Sequence, residues 1–350
     1  MKAQLILENG ARFSGTLFGA EKDVAGEVVF ATGMTGYQEE LTDPSFAGQF
    51  VTMTFPLMGN YGINLEDMES DKAHLTALIC REKCDTPSNF RNEMTLDTFL
   101  KNQGVVGLEG IDTRALTKIL RDAGVMRGVI MAGEPSDDEV KKLMDSLNNS
   151  DVILRTSTKE KYVINPGGKK HAAFIDLGAK QGILRELEKR SCKISVYPAT
   201  VKAEEILADK PDFVFISNGP GDPLDAPGTI DTVKALIGKL PIYGICMGHL
   251  LIGLALGCKT KKMKFGHHGG NQPVKDVQTG SVYITSQNHN FMLTDYPAEI
   301  EETFVNVNDG SSEGIRHKTL PIESVQFHPE ASPGPLDVGF LFDRFLKGVK

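Results

Sequence analysis

Between Ala172 and Leu256 short apolar runs alternate with amphipathic segments in unbroken order. Ala172–Ile175, Lys193–Tyr197, Phe213–Ile216 and Ile242–Tyr243 have the length and composition of buried strands. The segments 181–190, 202–208, 229–237 and 247–256 between and after them have helical spacing. Strands that are apolar on both faces need cover on both faces, and a helix between consecutive strands supplies the crossover that parallel pairing requires. The expectation is an α/β domain with a central, mostly parallel sheet and helices on both faces. Ligands of such sheets bind beyond the carboxyl ends of the strands, so the residues that follow each strand are the place to look for chemistry.

The first 150 residues follow another pattern. Leu5–Leu7, the Asn9-Gly10 turn and 12–18 read as a hairpin, and 27–30 as a further strand. The segment 112–123 has helical spacing and a stop at Gly124, and 136–147 opens with Ser136 and Glu139, a capping box. The segment 155–170 is polar and contains Asn165-Pro-Gly-Gly168, as a linker would. The division expected is an N-terminal mixed α/β domain over 1–154, a linker over 155–170 and the alternating domain over 171–350.

Several function classes are disfavoured. The formal charge of −8, with Lys and Arg spread along the chain, gives no footprint for nucleic acid. Met1–Gly10 does not read as a signal peptide. Pro241–Cys258 carries no charge, but Pro241 and glycines 244, 248, 253 and 257 break it into strand, turn and buried helix rather than a membrane span. Five irregularly spaced cysteines suit a reducing, cytoplasmic setting. Cys80 and Cys84 have helix spacing but no second ligand pair, and His267-His268-Gly-Gly270 reads as a loop, so no metal site is expected.

Three segments carry chemistry. Gly244-Ile-Cys246-Met-Gly248 lies between an apolar strand and an apolar helix, the layout of a nucleophile elbow. A sharp strand-to-helix turn presents its central side chain at a helix N-terminus, where the dipole favours an anionic nucleophile. The N–H of Met247 would face a developing oxyanion. A buried structural cysteine is the competing reading, and Cys258 at the far end of the helix fits it. His328-Pro-Glu330 follows the apolar run 324–327. Extended residues two apart share a face, so Glu330 can orient the imidazole that serves Cys246 as base. A His-Pro turn without a role is the plainer alternative. Third, Ser217-Asn-Gly-Pro-Gly-Asp-Pro223 forms a tight loop at another strand end, able to offer backbone N–H groups to an anion or simply to connect two elements. His249 reads as packing support, and Gln287–Phe291 as a polar loop able to touch ligand.

In this order, Gly244–His249, His328–Glu330 and the 217–223 loop resemble the class I triad glutamine amidotransferases. Met34–Ser45, Phe55–Gly62, Gly110–Thr117, Lys262–Asn271 and His328–Pro335 resemble the small chain of carbamoyl-phosphate synthetases, so the likeness covers nearly the whole sequence. It implies glutamine hydrolysis through a γ-glutamyl thioester on Cys246, with His328 and Glu330 completing the triad. The ammonia would pass to a large synthetase chain, the partner that would hold ATP, bicarbonate and Mg; no cofactor is implied for this chain. Glutamine would be bound by Ser45, from the N-terminal domain, and by Gly219, Gly221, Met247, Leu250, Asn288, Asn290 and Phe291. At two positions the sequence departs from the family pattern: Leu250 stands where a glutamine is usual and Asn290 where a glycine is usual. Leu250 keeps a second reading open, a weakly active or inactive regulatory or scaffolding subunit of an ammonia-using synthetase. A triad serving an anthranilate or guanylate system is a third, against which the N-terminal segments argue.

Overall fold

Val28, Phe50, Ala77 and Ile79 meet in one apolar cluster with Leu116 and Leu120, whereas Val29, Val51 and Leu78 join another with Phe99 and Leu100. The period of two along each strand thus feeds both faces of a sheet. The computed structural model describes residues 1–349, leaving Lys350 outside, and the chain divides into two units, Met1–Asn149 and Ser150–Lys350. In the first unit seven strands close a barrel in the order Lys2–Leu7, Arg12–Gly19, Val106–Glu109, Ala77–Ile79, Gln49–Met53, Val24–Ala31 and Met126–Ala132. The expected hairpin is present, with Leu5 opposite Phe13. The helix Thr113–Ala123 is capped by Asp112, and Asp137–Asp145 opens with the capping box of Ser136 and Glu139. Cys80 and Cys84 do not share a helix: each follows a short strand, Ala77–Ile79 and Glu82–Lys83. Short-range spacing gave no means of telling those strand ends from a helix.

The second unit begins before the polar stretch. The helix Val152–Thr156 belongs to it, and Tyr162–Ile164 within the stretch is a strand paired antiparallel with Cys192–Pro198. Its sheet has ten strands, in the order Tyr162–Ile164, Cys192–Pro198, Lys170–Asp176, Phe213–Ile216, Ile242–Ile245, Ile322–Val325, Ser312–His317, Ile300–Asn306, Lys259–Asp276 and Val282–Thr294. The pairings from Cys192–Pro198 through Ile322–Val325 are parallel. Those from Ile322–Val325 onward are antiparallel. That extension overturns two loop readings: His267-His268 and Gln287–Phe291 lie in strands. Their polar side chains hid the strand period because the structure buries them in hydrogen-bonded pairs instead of exposing them.

Pro241–Cys258 resolves into the strand Ile242–Ile245 and the helix Met247–Ala255, and no helix among the described residues is long and apolar enough to cross a membrane. Beside the strands, Phe215 is stacked on Phe174 and on Phe342 and meets Phe345 edge-on. Phe215→Ala should therefore cost about 3–5 kcal/mol, the range for emptying an aromatic site in a core. Phe90→Ala, at a ring 95% exposed, should change stability by less than about 0.5 kcal/mol. Urea unfolding of both variants checks the contrast.

Candidate active site

The strand Ile242–Ile245 ends one residue before Cys246, and the helix Met247–Ala255 starts one residue after it. Such a turn forces Cys246 to φ 55°, ψ −107°, a backbone state that non-glycine residues seldom adopt. The flanking glycines make it possible. A Cβ on Gly244 would sit 2.9 Å from the Gly248 carbonyl carbon, and one on Gly248 would collide with the Ile216 carbonyl. Gly248 N–H donates to Ser217 O at 2.9 Å, and Cys246 N–H to Val325 O at 2.9 Å, so two neighbouring strand ends hold the turn. Met247, at the first helical position, has an N–H with no acceptor inside the helix.

Cys246 is 2% exposed, and its thiol donates to Asn288 O at 3.5 Å. His328 follows the strand Ile322–Val325 and is anchored by its own N–H to Ser286 O at 2.8 Å. Its Nδ1 lies 2.6 Å from Glu330 Oε1. The residues two apart do share a face. The other nitrogen, Nε2, has no hydrogen-bond partner among the described residues at normal length. Burial works against a charge on this imidazole, but Glu330, and then Cys246, outweigh it and push His328 up to about 10. Burial opposes the Glu330 carboxylate too. Lys180 first and His328 second overcome it, holding Glu330 well below the usual carboxylate range.

Lys180 was invisible to sequence reasoning. It is 2% exposed, lies 3.2 Å from Glu330 Oε1, and donates to Ala331 O at 2.5 Å. No local pattern marks it; only its burial beside a carboxylate does. The result is a row of alternating charge, Lys180, Glu330 and His328, ending near the thiol.

The 217–223 loop follows Phe213–Ile216 as expected. A Cβ on Gly219 would lie 2.6 Å from Leu177 O; Gly221 has φ +89°, and a Cβ there would lie 2.7 Å from Val152. Both positions require glycine. Leu250 sits on the helix one turn beyond the thiol, 2% exposed, with its N–H on Cys246 O at 3.1 Å. The Asn290 amide oxygen lies 3.1 Å from His268 Nε2, while His268 Nδ1 is 2.9 Å from Asn288 Oδ1. Phe291 is partly buried on the same strand. His249 is fully buried and paired with Ser324 Oγ at 3.0 Å; burial pushes it down to about 3, leaving it neutral. Ser45 belongs to the first unit, in the short turn Pro44–Phe46, where it is buried with its N–H on Asp43 at 2.9 Å.

Residues 5–130 match the model of the carbamoyl-phosphate synthase small chain, CPSase domain, and residues 173–348 that of class-I glutamine amidotransferases. The carbamoyl phosphate synthase small chain of Clostridium perfringens is 55% identical over 347 residues, covering 99% of both chains. The pyrimidine-specific small chain of Bacillus subtilis is 49% identical, covering 100% of this chain and 96% of its own. Among solved structures, a putative GMP synthase subunit from Thermoplasma acidophilum is 20% identical with a TM-score of 0.43, over 51% of this chain and 92% of its own.

A raised imidazole pKa adds stability in full below its ordinary value, near 6.5, and that stability is lost as pH rises through the folded value near 10. Glu330→Gln removes the main cause and leaves Lys180 buried without its charge partner, at a cost of about 3–5 kcal/mol. Thermal melts should show the gap between wild type and Glu330→Gln widest between about pH 4.5 and 6.5, narrowing toward pH 10 as His328 loses its proton and below pH 4.5 as Glu330 gains one.

Proposed function

Because the chain belongs to the carbamoyl-phosphate synthase small-chain family, and is thereby the glutamine amidotransferase subunit of a glutamine-hydrolysing synthase, we propose that Cys246, His328 and Glu330 perform the hydrolysis. The observation that carries this reading is the 2.6 Å pair of His328 and Glu330, buried and electrostatically coupled to a cysteine strained at a strand-to-helix turn. His328, raised to about 10, holds as an imidazolium the proton that the Cys246 thiol gives up, and the thiolate beside it attacks the glutamine carboxamide carbon. Negative charge gathers on the carboxamide oxygen, for which Met247 N–H and the Gly219–Gly221 loop are the donors in this proposal. The C–N bond breaks as His328 returns the proton to the leaving nitrogen, releasing ammonia and leaving the γ-glutamyl thioester. Water, deprotonated by the same imidazole, opens the thioester to glutamate and the free thiol. Glu330 holds the imidazole tautomer throughout, and Lys180 holds Glu330 ionised.

Glutamine is bound, in this reading, by Gly219, Gly221, Met247, Leu250, Asn288, Asn290 and Phe291. The ammonia passes to the large chain, whose own chemistry uses ATP, bicarbonate and Mg. Five free cysteines suit a reducing cytoplasm. Leu250 supports a second reading, a subunit of weakened glutamine use, since an apolar side chain offers the substrate no hydrogen bond.

In the complex with the large chain, Cys246→Ser should abolish carbamoyl phosphate formation from glutamine and spare formation from ammonia. Equal loss of both would overturn the mechanism. Leu250→Gln should lower the glutamine KM by up to about tenfold, the worth of one neutral hydrogen bond, in a steady-state glutaminase assay. An unchanged KM would remove Leu250 from the binding site.

A further inference from the structure

His267 and His289 stand directly opposite each other in paired strands, with ring centroids 5.0 Å apart. Glu313, on the strand Ser312–His317, points into the same buried space. Its Oε1 lies 3.3 Å from His267 Nδ1 and 4.0 Å from His289 Nε2. All three side chains are buried, and one donor atom from each falls within 4.8 Å of the others. Gln287, two residues before His289 on the same face, brings Oε1 to 2.7 Å from His267 Nδ1 and 3.0 Å from His289 Nε2.

The hydrogen-bond accounting here does not close with protons alone. His289 Nδ1 lies 2.9 Å from Phe291 O. A carbonyl only accepts, so Nδ1 carries the proton and Nε2 of the neutral ring is a lone pair. That lone pair faces Gln287 Oε1 and Glu313 Oε1, both acceptors. Flipping the Gln287 amide does not help. Its nitrogen donates to Thr285 Oγ1 at 3.1 Å, and that hydroxyl spends its hydrogen on Gln272 O at 2.9 Å, so it must accept. Glu313 Oε2 is buried with no partner among the described residues. A second proton on His267, at Nδ1, satisfies Gln287 and Glu313, but the His289 Nε2 lone pair still faces only acceptors.

The groups behind these donors are those of a metal site. Ligating histidines pass their second N–H to a carboxylate or backbone carbonyl, and ligating carboxylates are themselves hydrogen-bonded. His267 Nε2 lies 3.0 Å from Asp309, His289 Nδ1 meets Phe291 O, and Asn306 donates to Glu313 Oε1 at 3.2 Å. Two imidazoles, a carboxylate and an amide oxygen suit Zn²⁺.

We propose that His267, His289 and Glu313, with Gln287 as fourth donor, form a structural divalent-cation site that fixes the strand carrying Asn288 against Cys246. This departs from the sequence reading, which took His267-His268 for a loop without metal. The link to the candidate active site is short: Asn288, whose carbonyl accepts from the thiol, lies between Gln287 and His289.

The test uses the full chain, stripped with a chelator and titrated with Co²⁺ as a spectroscopic substitute for Zn²⁺. Cys246→Ser is titrated in parallel, because a thiol next to an imidazole also binds such ions. The expected result is one Co²⁺ per chain in both proteins. It should show visible d–d bands without the near-ultraviolet charge transfer of a thiolate ligand, and a higher melting temperature with the ion than without. Glu313→Gln, which preserves size, should weaken binding at least tenfold. Absence of stoichiometric binding to the wild type would overturn the proposal, as would a site lost in Cys246→Ser. Should Glu313→Gln not fold, the stoichiometry and spectrum of the Cys246→Ser protein decide.

Discussion

The turn at Cys246 is the constraint on which the candidate site of the second unit rests. A non-glycine residue at φ 55° costs free energy that only rigid surroundings sustain. Here the rigidity comes from the sheet. Cys246 N–H is bonded to the end of one neighbouring strand, and Gly248 N–H to the residue following another. The parallel register aligns Ile216, Gly244 and Ser324 side by side. The thiol, the 217–223 loop and the His328 segment therefore emerge from adjacent strand ends by construction, with no long loop to position them.

Charge order complements this backbone order. Each of Lys180, Glu330 and His328 would pay a heavy desolvation penalty if buried alone. Together they alternate in sign, and the net of burial and partner charge raises His328 and lowers Glu330. Removing a single member leaves its neighbour charged and dry, which is why such a row behaves as a unit and not as a sum of separate pairs.

Legibility in the sequence followed the range of the physics. The elbow was readable because Gly244, Cys246 and Gly248 lie within five residues and the steric demand is local. His328 and Glu330 were readable because two residues in extended chain share a face. The capping box of Ser136 and Glu139 and the stop at Gly124 were likewise local. Lys180 was not readable: its partner lies 150 residues away, and an isolated lysine before a helix looks like any solvated cation. The antiparallel half of the sheet was missed for another reason. Strands such as Lys259–Asp276 and Val282–Thr294 are rich in His, Asn, Gln and Lys, so hydropathy carries no period of two even though the pleat does.

That pleat has a consequence for the two families of polar side chains on the paired strands. Gln287 and His289 meet His267 on one face, whereas Asn288 and Asn290 meet His268 on the other. A slip of one residue in register would exchange the two sets and carry Asn288 away from its partner. Apolar strands resist such slips by burying one face, but these strands have mixed faces and two breaks in register, between Lys262 and His267 and between Gly269 and Gln272. What pins them must be the side-chain contacts themselves: directional, paired across the strands and buried. A cation shared by His267, His289 and Glu313 would tie three strands at one point, and it would do so beside the residue whose carbonyl holds the thiol.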